Sequence, residues 1–230
     1  MITDISLYLT PTYFLDSDHE GVIDYAKRHS SPEASAKENA VRLYNAVRDD
    51  FIYNPYKLDL RSEGLKASDI LNRDYGHCVS KASLLAACAR VIGVPSRLAF
   101  FNVKNHIATE KIESFLKTNV LVFHGCTELW LEGRWVKATP AFNTALCRKL
   151  NVETLDFDGE NDSVFQQYDR TGKVFMDYVH EYGSFHELPY DLMIGQLRKH
   201  YNGILSDEML AKAGMVLDLN LLVAPHTSVE

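Results

Sequence analysis

Apolar residues recur along this chain with two periods, and where the period changes the elements change. Ala40, Leu43, Tyr44 and Val47 fall at the i, i+3, i+4, i+7 spacing of one buried helical face. Ser30-Ser31-Pro32-Glu33 supplies a start signal for that helix, which is predicted to run to about Asp49. A shorter helix is predicted over 20–28, with Asp16-Ser17-Asp18 offering its cap. From Cys78 to about Ile92, Val79, Ala82, Leu85, Ala86, Ala89 and Val91 stand among few charges, which suits a helix buried on most sides. Gly93 ends it and Pro95 prevents its resumption. One or two helical turns are expected over 68–72, a short helix over 111–116, and an amphipathic helix over 187–201 begun at Pro189.

Strand signals cluster after the central helix. Residues 96–103 have strand character, and the run beginning at Val120 leads into an alternation of Thr127, Leu129, Leu131 against Glu128, Trp130, Glu132. Glu132-Gly133 supplies a hairpin turn into a second strand over 134–138. Phe51-Ile52-Tyr53 reads as a short strand or extended link. Residues 7–15 are β-prone and interrupted by Pro11, which predicts an edge strand or extended arm. Residues 216–223 read the same way. After Asn143 the signals weaken. The turn-prone stretch 156–162 is acidic but lacks the spacing of a calcium loop, so a solvated loop is expected.

These elements predict an α+β fold, a central helix packed on an antiparallel sheet, and one domain over 1–230. A length of 230 residues supports one substantial core. A net charge of −7 without a Lys/Arg cluster argues against nucleic-acid binding. The N-terminus lacks the basic start and apolar run of a secretory signal, and no stretch is long and apolar enough to span a membrane, so the expectation is a cytoplasmic protein with no membrane partner. Cys78, Cys88, Cys126 and Cys147 form neither a disulfide framework nor a paired zinc pattern. A metal site from Cys78, His124 and Cys126 is set aside for want of a fourth ligand; no metal or cofactor is expected.

Cys78 changes the picture from fold to chemistry. It stands at a predicted helix start, where unsatisfied N–H groups and the positive dipole end favour a thiolate. His124, in the first predicted hairpin strand, is the candidate base. A helix carrying Cys78 packed on a sheet carrying His124 would bring thiol and imidazole together.

The pattern resembles that of the transglutaminase-like superfamily. Gly76-His77-Cys78, the apolar run Ala82 to Ala87, and Gly93-Val94-Pro95-Ser96-Arg97 are similar to that family's Gly-x-Cys, helix and Gly-Ile-Pro-x-Arg. His124, Glu128, Gly133, Trp135 and Pro140 match its second half, and Val47 to Tyr53 and Ala67 to Leu71 resemble its approach to the nucleophile. The resemblance spans about 40–143, leaving 144–230 as a C-terminal extension expected to pack on the core. It implies a papain/transglutaminase-like fold and a catalytic set of Cys78, His124 and Thr139, with Thr139 standing where the family usually has aspartate. Threonine offers an acceptor oxygen but no charge to stabilise an imidazolium.

Four further residues are candidate substrate contacts. His77 precedes the nucleophile, His106 follows the strand after the Gly-Val-Pro turn, Glu128 would act if buried near the imidazole and would otherwise be a solvent-facing strand residue, and Trp130 could wall the cleft. The expected activity is thiol-dependent acyl transfer on a peptide, protein or small amide substrate, hydrolysis before cross-linking. The alternatives are a binding module that has lost the chemistry and, less well supported, an arylamine acetyltransferase-like enzyme.

Overall fold

The computed structural model describes residues 5–106, 113, 116–201, 205–206 and 214–218. In chain order a 3₁₀ turn at Ile5–Leu9 is followed by α1 (Glu20–Arg28), α2 (Ala36–Asp50), β1 (Ile52–Tyr53) and β2 (Lys57–Asp59). Two further 3₁₀ turns, Glu63–Leu65 and Asp69–Asn72, lead to β3 (Tyr75–Gly76) and the central helix α3 (Cys78–Val91). Then come β4 (Ser96–Asn105), β5 (Val120–Leu131), β6 (Arg134–Ala138), α4 (Thr144–Leu150), β7 (Met176–Phe185), α5 (Tyr190–His200) and β8 (Val216–Asp218). Most of the short helix expected over 111–116 lies outside the described residues.

The main sheet has the order β6-β5-β4-β7, antiparallel at every pairing. Glu132 (φ 51°) and Gly133 (φ 85°) both take positive φ, so the β5–β6 hairpin closes on a tight turn. α3 lies across β5 and β4, with α1 and α2 packed on its far side. Its residues from Val79 to Arg90 are buried, as its nearly uncharged sequence requires. Thr127 Oγ1 donates to the Ala82 carbonyl at 2.8 Å and fixes helix against strand. A second, smaller apolar cluster around Phe101, Cys126, Phe142 and Phe175 occupies the opposite side of the sheet. The architecture is α+β, with Cys78 the first residue of the buried helix.

Two sequence expectations are corrected. The β-prone segment 7–15 contains no strand: it begins in the 3₁₀ turn, Thr10 Oγ1 closes back on the Leu7 carbonyl at 2.8 Å, and the Arg90 guanidinium takes the Thr10 carbonyl at 2.6 Å. These bonds replace those of a sheet edge. α2 begins at Ala36 and not near Pro32, because the Asn39 side chain holds Ser31 N and Ser31 O, each at 2.8 Å, and keeps that segment a loop. Ser35 then caps α2 in a box with Glu38.

Candidate functional site

Three local features place Cys78. β1 and β3 pair in parallel, with Tyr53 opposite Gly76, so the chain reaches the helix in an extended, anchored strand. His77 is the N-cap of α3: Ser80 Oγ accepts from His77 N at 3.0 Å and lies 3.1 Å from His77 Nδ1. Gly125 of β5 lies against the first turn, where an added Cβ would come within 2.9 Å of Val79 Cα. Only a glycine permits this approach, which sets the Gly125 amide beside the thiol.

His124 is aimed by an irregularity. Phe123 takes φ 60°, a conformation that side-chain-bearing residues rarely adopt. Its amide donates to Asn102 Oδ1 at 3.0 Å, and the β4–β5 register shifts between Phe101 and Val103. This bulge re-aims the next side chain. His124 is 5 % exposed, with Nδ1 3.3 Å from the Gly125 carbonyl.

Two pockets meet at His124. The larger, about 940 Å³ including its open mouth, has His77, Cys78 and His124 in its lining, with Tyr53, Val122 and Leu197 among its apolar walls. The smaller, about 220 Å³, is lined by His124, Thr139 and Gln166, among others. Thr139 is 3 % exposed, and its backbone is held on both sides: its N–H donates to the Ser163 carbonyl at 2.9 Å, and the Tyr44 hydroxyl lies 3.1 Å from its carbonyl. Its Oγ1 is buried and makes no well-formed hydrogen bond among the described residues, its polar neighbour being the Cys126 thiol.

The electrostatics reverse one sequence expectation. Burial pushes the Cys78 thiol above its ordinary value, although the amides of Gly125, Val79 and Cys78 itself favour the anion. Burial also lowers His124 to about 4, opposed only by the Gly125 carbonyl. His77 is likewise lowered to about 4, by burial first and then by Arg73 and His124. The resting pair is therefore neutral thiol and neutral imidazole: desolvation outweighs the helix end. Among the described residues no hydrogen bond joins Cys78 Sγ to His124.

The remaining sequence candidates fall elsewhere. His106 is exposed and pairs through Nε2 with Asp177 at 2.8 Å, outside both pocket linings. Glu128 is 4 % exposed and bridges Arg97 and, at 3.8 Å, Lys137, in a charged row across β4, β5 and β6. Trp130 meets Trp135 edge-on at 5.3 Å near the hairpin turn. Neither Glu128 nor Trp130 lines either pocket. Cys126 Sγ faces the Thr127 and Ala138 carbonyls at 3.4 and 3.7 Å.

Sequence reasoning passed over Lys81. It is fully buried one turn into α3, and its ammonium donates to the carbonyls of Arg48 (2.8 Å), Phe51 (2.8 Å) and Ala141 (2.9 Å). It thus ties the end of α2 to the segment just beyond Thr139. Burial lowers it to about 7, opposed by the nearby carboxylates of Asp49 and Asp50. A charge in the first turn of an otherwise apolar helix, with Arg90 its only charged companion, was the signal that could have found it.

Comparison with known proteins bears on this arrangement. A family model described as the transglutaminase-like superfamily matches residues 23–140, half of the chain. No curated protein matches. Among solved structures, a candidate cysteine protease from Cytophaga hutchinsonii is similar with a TM-score of 0.49 and 14% identity; the match covers 80% of this chain and 55% of that one. The segment the family model matches runs from α1 through β6 and includes Cys78, His124 and Thr139, and on that match this chain belongs to the transglutaminase-like superfamily.

Proposed function

We propose that this protein is a thiol-dependent acyl-transfer enzyme in which Cys78 and His124 act as nucleophile and base on a peptide or carboxamide bond, with hydrolysis as the outcome. The observation that carries this reading is that Cys78, first residue of α3, and His124, re-aimed by a bulge of β5, line the same pocket. Because the resting pair is neutral, His124 takes the thiol proton as Sγ attacks the carbonyl carbon. The Cys78 amide at the helix start is positioned to meet the oxyanion. His124 then gives its proton to the departing amine or ammonia. Water resolves the thioester, with His124 again accepting a proton. Thr139 Oγ1, which lines the smaller pocket together with His124, is the group that would accept from the ring during this cycle. The substrate would be a protein, peptide or small amide.

The test uses purified protein and a library of peptide and carboxamide substrates. Turnover is expected from the wild type and background rates from Cys78→Ala and His124→Ala. Full activity in Cys78→Ala overturns the proposal.

The raised thiol and the uncharged third residue favour one second reading, a binding module without turnover. An unmodified protein that binds carboxamide peptides but neither hydrolyses them nor reacts with iodoacetamide at pH 8 would establish it.

A further inference from the structure

We propose that the larger pocket is the site for the acyl side of the substrate and that it selects an uncharged acyl group bearing a bulky aliphatic or aromatic substituent. This rests on the reading of Cys78 as nucleophile. Among the described residues the pocket lining contains no Asp, Glu, Lys, Arg, Asn, Gln, Ser or Thr. Its polar atoms belong to the thiol, the two histidines and three tyrosines, and the Tyr201 hydroxyl is already committed to Val120 O at 2.8 Å and Val122 N at 2.7 Å. A carboxamide or ammonium group pushed past the sulfur would lose its water and gain little in exchange. A hydrocarbon would gain the full benefit of leaving water.

Part of the wall comes from segments that follow the family match. Met193 and Leu197 lie one turn apart on α5 and present one face to the pocket. Leu58 of β2 pairs in register with Leu217 of β8, and both line it. α5 and β8 follow the matched segment 23–140 and add Met193, Leu197 and Leu217 to an apolar lining that the matched segment largely supplies. The shared chemistry is an apolar acyl group, which either a fatty acyl chain or a peptide with a bulky apolar residue would supply.

The experiment is a pre-steady-state acylation series with p-nitrophenyl esters from acetate to octanoate. Sγ forms the thioester as the ester C–O bond breaks and p-nitrophenolate leaves. The acylation rate is expected to rise about fourfold per methylene through hexanoate. Leu197→Gln, and the isosteric Val122→Thr in case the first fails to fold, should lower the hexanoate-to-acetate ratio about tenfold. A flat series with Cys78 still acylated overturns the pocket assignment and leaves the nucleophile standing. If Cys78 is neither acylated nor alkylated, the catalytic reading falls, and the pocket is judged by titrating Cys78→Ala with octanamide and acetamide by NMR. Saturable binding of octanamide alone retains the apolar site; equal, weak binding of both overturns it. Octanoate is then compared with the nitrophenyl esters of N-acetyl-leucine and N-acetyl-phenylalanine, the faster substrate identifying the source.

Discussion

The two sides of His124 are built differently. On one side lies the thiol, in a large apolar pocket whose far walls come from α5 and β8. On the other lies Thr139, in a small pocket where its hydroxyl is buried with only the Cys126 thiol as polar neighbour. The first is a place to hold something; the second is a place to hold the imidazole. The difference teaches that in this protein burial, and not charge pairing, governs the reactive groups. It pushes the thiol up and the imidazole down, and no carboxylate at position 139 is there to counter it.

The strongest way to break the comparison is to remove the thiol. Cys78→Ala should lower turnover by about a thousandfold or more while thermal melting is nearly unchanged, since one sulfur atom is removed from a half-buried position at the pocket wall. Next is the close contact of strand and helix. Gly125→Val should displace the start of α3 from β5 and cost about a hundredfold in kcat/KM, because misplacement by roughly an ångström is enough.

Lys81 tests the scaffold behind both pockets. Lys81→Met leaves three buried carbonyls without their donor and should lower stability in denaturant titration by about 3 kcal/mol. The buried imidazole gives a pH signature. His124 is lowered to about 4, from about 6.5 in the unfolded chain, so between these values the unfolded state binds more protons and stability falls as pH falls. The loss is full below about pH 4 and amounts to at most about 3 kcal/mol; His124→Phe should reduce the slope of that part of the stability–pH curve by about half, the remainder coming from His77. The smallest effect is expected at the Thr139 hydroxyl. Thr139→Val should leave stability within about 0.5 kcal/mol, because only a weak contact with the Cys126 thiol is lost, while kcat falls if the ring uses that oxygen during turnover.

The parts of the molecule fixed by local pattern were readable from the sequence. The unbroken apolar run of α3, the Gly93 and Pro95 stop and the Glu132-Gly133 turn each carry their own signal, and the structure places them as expected. β7 was missed because most of its residues are exposed on an edge strand and Gly183 (φ 93°) interrupts them, so no two-residue alternation develops. The order of Cys78, His124 and Thr139 was visible; the state of their protons was not. A helix start is a local property, whereas desolvation depends on every element that covers the site. The pocket walls were invisible for the same reason: Leu58 and Leu217 become neighbours only through the pairing of β2 with β8.

The turn at Phe123 has a consequence for anyone wishing to move this site. Its positive φ is held by Asn102 on the neighbouring strand and by a bulge shared between the two strands, so the direction of the imidazole is owned by the pair and not by β5. Transplanting residues 120–131 into another sheet would carry the histidine and leave its aim behind; the smallest portable unit is the β4–β5 pair with Asn102 in place.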